Sequence, residues 1–254
     1  MQLNYLSLFS GAGGGDLAFQ HLLDGFRCVG YIDNEPYCQR VIRQRQKDGL
    51  LDEAPIFGDI RTFIDSGCAE LYQGVVQLIT GGFPCQPFSV AGKQAGEDDP
   101  RNMWPETIHT IRMVRPRYAF LENVSGLLGS GYLPTIFSDL AEAGYNAKWT
   151  VLGTHHVGGL FKRDRLWILA STSTYRLEKC MQEISSRFKF NGWETDSLAF
   201  NRAKKVNGDG LLWPSDDRFW RLVDGQSNWV ERIGANGNQQ DSRVAATAWE
   251  ILKP

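Results

Sequence analysis

Five groups of residues in this chain could do chemistry. The first is a lone thiol, Cys85, held in Gly81-Gly82-Phe83-Pro84-Cys85-Gln86-Pro87-Phe88-Ser89 directly after the apolar run Val75 to Thr80. An apolar run of that length reads as a buried strand, and Gly-Gly with two prolines breaks it into a stiff loop. A thiol just beyond a strand end stands where open α/β sheets meet their ligands. Position alone leaves an inert buried cysteine as the alternative. The second is Glu122, which follows Tyr118-Ala119-Phe120-Leu121. A carboxylate at the end of a buried strand is desolvated and can hold a proton to donate. The third is the basic cluster Lys162-Arg163-Asp164-Arg165 before Leu166 to Ala170, which reads either as an anion-binding group or as a solvated face.

The fourth group is the turn Phe9-Ser10-Gly11-Ala12-Gly13-Gly14-Gly15-Asp16, with Leu17, Ala18, His21 and Leu22 recurring behind it at helical spacing. Glycines there let the backbone approach a ligand. Asp16 stands where a dinucleotide fingerprint has its third glycine, and an acid there suits a cofactor with a cationic or zwitterionic tail better than a pyrophosphate. The fifth is a pair of strand-end acids. Asp33 closes Phe26 to Ile32 about 20 residues after the glycine turn, the spacing at which a nucleotide-binding unit sets a carboxylate on a ribose. Asp59 closes a third run, Ile56 to Ile60. With the glycine turn they make a ring of groups suited to ribose hydroxyls and an adenine amino group, and thus to an adenosine cofactor such as S-adenosylmethionine.

These groups need a sheet to hold them. Seven short apolar runs alternate with helical patterns at Pro36–Arg45, up to Val114, Leu133–Ala143 and Val244–Leu252, which predicts an α/β fold. Tyr145 to Leu152 alternates as an edge strand does. The segment from Ala91 to Asn102, polar and glycine-containing, reads as a long functional loop. With 254 residues and 42% hydrophobic content the chain can bury a large core. Its net charge of -2 provides no global field for nucleic acid, so any such surface is a local patch. The five cysteines are scattered without Cys-x-x-Cys spacing, which speaks against a disulfide framework or a zinc site and for a reducing, cytoplasmic setting. There is no signal peptide pattern and no run long enough to span a membrane.

In their order along the chain, Phe9 to Gly14, Asp33, Gly58-Asp59-Ile60, Gly81 to Ser89, Glu122-Asn123-Val124, Arg163-Asp164-Arg165 and Gly237-Asn238 followed by Arg243 to Trp249 resemble the C5-cytosine methyltransferases, specifically the small bacterial and phage members that partner restriction enzymes. The resemblance implies a Rossmann-like class I methyltransferase sheet, mostly parallel with one antiparallel strand, plus a small target-recognition module. It implies S-adenosylmethionine held by Phe9, Gly11, Gly13, Gly14, Asp33, Asn34, Asp59, Ile60 and Asn238. It also implies Cys85 as the nucleophile toward C6 of a cytosine swung out of duplex DNA, Glu122 at N3, and Arg163 and Arg165 stabilising the charge that develops. Pro84, Gln86, Ser89, Arg101 and Asn123 would contact the substrate, with the Ala91–Asn102 loop closing over it and Arg101 on phosphate. The catalytic domain would comprise residues 1–170 and 234–254. Residues 171–233, with nine aromatics among basic residues such as Arg202, Lys204 and Lys205, would read the target sequence. A monomer acting on duplex DNA is the expectation. tRNA methylation and a catalytically idle DNA-binding relative are the alternatives. The chain departs from the family pattern at Gln77, Phe161, Asn34 and the run Gln239-Gln240-Asp241-Ser242, which bears on the cofactor contacts.

Overall fold

The computed structural model describes residues 2–84, 102–159, 162–172 and 239–254. Seven strands form one sheet: β1 (Leu3–Leu8), β2 (Phe26–Ile32), β3 (Ile56–Phe57), β4 (Leu78–Gly81), β5 (Tyr118–Val124), β6 (Asn146–Gly153) and β7 (Asp164–Ser171). Their spatial order is β3-β2-β1-β4-β5-β7-β6. β1 to β5 pair in parallel, while β7 runs antiparallel to both β5 and β6. This is the mostly parallel sheet with one reversed strand that the sequence implied.

Strand faces alternate, so each central strand feeds two cores. Leu6, Leu8, Ile79, Leu121 and Ile168 pack on one face. Against them lie α3 (Ile60–Asp65), α5 (Trp104–Val114) and α6 (Leu133–Glu142). Tyr5, Tyr31, Leu78, Phe120 and Trp167 pack on the other. There they meet the short helix α1 (Gly14–Leu17), its π-helical extension Ala18–Leu22, Ile42 of α2 (Pro36–Lys47) and the closing helix α7 (Ser242–Leu252). Trp249 of α7 sits edge-on to Phe19, Phe26, Tyr118 and Phe120, with centroids 5.3 to 5.9 Å away. Four edge-to-face pairs on one indole fasten the C-terminal helix to β5 and to the N-terminal elements.

Helix starts follow local rules. Pro36 opens α2 where its missing N–H costs nothing, and the Glu35 side chain accepts from Tyr37 N. Asp241 Oδ1 caps α7, accepting from Arg243 N at 2.9 Å and Val244 N at 3.3 Å. β6 is the expected edge strand, and Trp149 on it is half exposed. Gln77, the departure just before β4, splices strand ends: its side-chain oxygen accepts from Asn4 N at 2.9 Å, and its amide donates to Val75 O.

Three expectations need correction. The third strand stops at Phe57, because Asp59 caps a helix through Oδ1, accepting from Arg61 N at 2.8 Å, and Ile60 begins α3 with its side chain in the core. A short helix, α4 (Cys68–Leu71), follows. β5 also runs beyond Leu121 to Val124, since the antiparallel partner keeps pairing: Glu122 faces Trp167 and Val124 faces Arg165. For the same reason β7 begins at Asp164, two residues earlier than its apolar run. The predicted recognition region lies outside the described residues beyond Thr172. Among the described residues no helix is long and apolar enough to cross a membrane.

Candidate active site

The parallel strands deliver their C-terminal ends to one edge of the sheet, and the reversed β7 delivers its N-terminal end to that same edge. Phe9 and the glycine turn, Asp33, Asp59, Phe83-Pro84, Glu122-Asn123 and Arg163–Arg165 therefore collect there. Cys85, Gln86, Ser89, Arg101 and Asn238 lie outside the described residues.

The two strand-end acids differ. Asp33 is tied to the glycine turn, with Oδ2 accepting from Gly11 N at 2.7 Å and Oδ1 from Glu35 N at 2.9 Å. Burial raises its pKa, and these two backbone donors pull it back. Each oxygen retains a lone pair for a ligand hydroxyl. Asp59 is committed through one oxygen to the α3 cap, and Asn34 is exposed. The turn holds an uncommon backbone, since Phe9 has φ 51° without being glycine, a conformation that collects at functional sites. Gly13 has φ 81°, and a Cβ there would stand 2.8 Å from Leu51. At Gly14 a Cβ would collide with the Gln239 side chain and the Gln240 carbonyl.

The catalytic end is a buried ion pair. Arg165 Nε donates to Glu122 Oε1 at 2.9 Å across the β5–β7 ladder. Glu122 is buried, and burial raises its pKa despite Arg165 and Arg163 acting in the opposite sense. Burial, then Arg165, lowers the pKa of Arg163. Gly82 approaches this pair closely, because a Cβ on it would lie 2.9 Å from Glu122 Oε2 and 3.0 Å from Gln240 Nε2. Asn123 Nδ2 donates to Phe83 O at 3.0 Å, and Met103 N donates to Pro84 O at 3.3 Å. Phe83 also packs on Trp104, 5.3 Å between centroids. The two residues before Cys85 are thus fastened both to β5 and to the start of α5. At the far side of the intervening segment, Asn102 Nδ2 donates to Tyr132 Oη at 2.9 Å.

At the C-terminal ends of the paired strands β1 and β4 lies a shallow cleft bordered by Phe9, Gly11, Asp16, Gly82, Gln239 and Gln240. Its lining includes Ser7 and Thr80, polar positions within otherwise apolar strands. Polar residues in apolar parallel strands were the available sequence signal for this cleft. That Gln239 and Gln240 border it was not legible, because they lie more than two hundred positions from the turn they cover. Among the described residues His155, His156 and Asp164 bring possible metal-ligating atoms within 4.8 Å of one another. All three already have neighbours: His156 Nδ1 accepts from Gly153 N at 3.0 Å, His155 Nδ1 stands 3.5 Å from Asp164 Oδ1, and Lys162 Nζ stands 3.8 Å from Asp164 Oδ2.

An adenosine-ready carboxylate, a glycine turn and an acid–guanidinium pair on one sheet edge of this strand order define a class I methyltransferase architecture. A solved Spodoptera frugiperda DNMT2 variant shares the fold, with TM-score 0.68 at 14% identity over 100% of both chains. So does a putative DNA modification methyltransferase encoded within an Escherichia coli prophage, with TM-score 0.52, 20% identity and coverage of 67% of this chain and 47% of that one. The chain belongs to the C-5 cytosine-specific DNA methylase family, whose model matches residues 3–238. It is similar to the Type II methyltransferase M.NgoMIV of Neisseria gonorrhoeae, 35% identical over 178 residues, covering 69% of this chain and 54% of that protein. It is also similar to the orphan methyltransferase M.Rho11sI of Bacillus phage rho11s, 28% identical over 253 residues, covering 91% of this chain and 48% of that one. The chain therefore spans about half the length of these curated relatives.

C5-cytosine methyltransferases use S-adenosylmethionine, and the described residues fit it. Asp33 offers acceptors to a ribose, the cradle at Gly14 has no room for a side chain, and Asp16 provides a buried acid for a cationic tail.

Proposed function

We propose that this chain methylates C5 of cytosine in duplex DNA, the base being swung out of the helix because a nucleophile must reach C6 from the ring face. The observation that carries this reading is the buried Glu122–Arg165 pair beside Gly82, three residues before Cys85. C5 of cytosine is too weak a nucleophile until C6 carries a substituent. The Cys85 thiolate adds there, and Glu122, its pKa raised by burial, donates to N3 and draws the electron density through the ring. Arg165, with Arg163 behind it, holds Glu122 and stabilises the charge on the base. S-adenosylmethionine, when bound, supplies the methyl as a sulfonium electrophile. A water then takes the C5 proton as the thiolate leaves, and N3 returns its proton to Glu122, which restores the ring and the site.

Pro84, Gln86, Ser89, Arg101 and Asn123 are assigned to the substrate side, and Asn238, Asp59 and Ile60 to the cofactor side. The anchoring of Phe83 and Pro84 through Asn123 and Met103 supports this assignment, because it fixes the backbone that leads into the nucleophile. Residues 171–233 are assigned to target recognition on their interleaved aromatic and basic composition. A modification role beside a restriction enzyme follows the naming of the Type II relatives.

The test is covalent trapping on oligonucleotides carrying 5-fluorocytosine, which cannot lose its C5 substituent. A cofactor-dependent adduct is expected with duplex DNA and none with Cys85→Ser. Absence of any adduct across a genomic range of duplex contexts sinks the reading, and adducts on tRNA alone would move the substrate class to RNA.

A further inference from the structure

One arginine of α2 is turned inward. Arg40, Arg43 and Lys47 are exposed, as basic residues of a surface helix usually are, whereas Arg45 lies on the inner stripe with Ile42 and has no part in the mechanism above. Burial lowers the pKa of its guanidinium, and a cation drawn out of water needs a strong acceptor to hold it. That acceptor is a backbone oxygen of the glycine turn, since Arg45 Nη1 donates to Ala12 O at 2.5 Å. The end of α2 is shaped around the contact. Arg45 O accepts from Leu50 N at 2.9 Å and from Leu51 N at 3.2 Å, so the chain doubles back after Gly49. Leu51 and the guanidinium are thereby set against Gly13, where a Cβ would lie 2.8 Å from Leu51 Cδ1 and 3.8 Å from Arg45 Nη1.

We propose that Arg45 is a positioning residue for the cofactor: by holding the Ala12 carbonyl it fixes the glycine turn in the shape that receives S-adenosylmethionine. This rests on the methyltransferase reading. Ala12 lies between Gly11 at φ 55° and Gly13 at φ 81°, two residues without a side chain to restrict their rotation. The peptide unit after Ala12 is gripped at both ends: its oxygen is held by Arg45, and its N–H, that of Gly13, donates to Ser10 O at 2.8 Å. Gly11 N is held in turn by Asp33 Oδ2 at 2.7 Å. Asp33 and Arg45 both come from the β2–α2 unit, so one unit sets the carboxylate offered to the ribose and the turn beside it. Without the guanidinium, two glycines are free to reorient the Ala12 carbonyl, and ligand binding must order it again.

A counter-charge for Asp16 is the competing account. The side-chain hydrogen bonds to the Asp16 carboxylate come from Ser7 and Tyr5, and Arg45 acts on it through charge alone. The donor itself is aimed at Ala12.

Two substitutions in the full chain separate the accounts. Arg45→Met keeps the length of the side chain and removes the donor, while Arg45→Lys keeps the charge and a donor of shorter reach. S-adenosylhomocysteine affinity is read by calorimetry, and methyl transfer is read with labelled S-adenosylmethionine on duplex DNA from a methylation-deficient source. A hydrogen bond from a charged group is worth about ten- to a hundredfold in an equilibrium constant. Arg45→Met should weaken S-adenosylhomocysteine about tenfold and raise KM for S-adenosylmethionine by a similar factor, with kcat within about twofold, because the Glu122–Arg165 pair is untouched. Arg45→Lys should lie between, at about two- to fourfold, and it reads the effect even where the methionine variant does not fold. The loss should persist at about pH 9, where Asp16 is ionised with or without Arg45. A loss that fades as the pH is raised would trace to Asp16 and overturn the proposal. Unchanged affinity in both variants, or a fall in kcat with KM constant, would also overturn it while leaving the methyltransferase reading intact. If the unmodified protein binds no S-adenosylhomocysteine, that reading falls and takes this assignment with it.

Discussion

A carboxylate buried this deeply should cost stability when it ionises, and Asp16 allows that cost to be worked out. Its pKa is raised from 3.8 to about 6, chiefly by burial. Between those values the folded protein holds the proton more tightly than the unfolded chain does. The contribution to stability is therefore fully present below pH 3.8 and is lost as pH rises through about 6. A shift of roughly two units corresponds to about 3 kcal/mol at pH 8, and about half of that is already lost at pH 5. Asp16→Asn removes the titration while keeping the shape. Without cofactor, the variant should gain about 2 to 3 kcal/mol relative to the unmodified protein between pH 4 and pH 8, most of it below pH 7.

The other groups facing Asp16 do not blur the window. Burial raises the pKa of Tyr5, Cys28 and Tyr31, so all three stay protonated throughout, and Arg45 is common to both proteins. Urea unfolding at a series of pH values reads the difference directly. A difference that stays flat across pH, or an Asn variant that is less stable at pH 8, would refute the claim that burial outweighs the Ser7, Tyr5 and Arg45 contacts of Asp16.

Three further outcomes follow from the acid–guanidinium pair and its surroundings. Glu122→Gln should reduce methyl transfer by about 10²- to 10⁴-fold, the usual contribution of a positioned proton donor, while S-adenosylhomocysteine binding measured by calorimetry is unchanged. Arg165→Ala leaves Glu122 buried beside a single, more distant cation. It should cost about 3 kcal/mol in urea unfolding at neutral pH, and Glu122→Gln in the same background should recover most of the loss. Gly153→Ala would place a Cβ 2.6 Å from Asp164 Oδ1 and 2.8 Å from the Arg163 carbonyl. The start of β7 must shift, at about 1 to 3 kcal/mol, and adduct formation with 5-fluorocytosine DNA should fall although Gly153 touches no substrate.

The sequence was most informative where one strand face or one helix start decides the matter. The apolar runs of β1, β2, β4 and β5 are unambiguous because strands covered on both faces need continuous hydrophobicity. α2 and α7 declare themselves through Pro36 and Asp241. The misreadings fell where tertiary context overrides a local signal. Ile56 to Ile60 looks like one strand, yet Asp59 is worth more as a helix cap than as a strand end. α3 and α4 are six and four residues long, too short for helical periodicity to be recognised. Glu122 resembles a terminator, and only a partner strand that offers Arg165 across the ladder keeps it inside β5. The polar side of the cofactor cleft was half legible: Asp16 stood out as an acid in a glycine turn, whereas the placing of Gln239 against Gly14 joins distant parts of the chain and no local pattern encodes it.

The reversal of β7 is the feature on which the acid–guanidinium pair depends. The strand is eight residues long, so its two ends are about 25 Å apart. Were it parallel to β5, as the other central strands are to their neighbours, Arg163 and Arg165 would emerge at the opposite rim, beyond the reach of Glu122. Running antiparallel, the strand sets Arg165 opposite Val124 and returns its guanidinium two residues along the ladder to Glu122 at 2.9 Å. An anion-stabilising group is thereby brought to a sheet edge otherwise rich in acids, Asp33, Asp59 and Asp16 among them. A positive field confined to β7 beside Pro84 and a negative one confined to β1 and β2 suit a reaction in which charge develops on the base at one end while a cationic cofactor sits at the other. A cation moved to the cofactor end would repel the sulfonium, and an acid moved to the base end would oppose the charge that develops there.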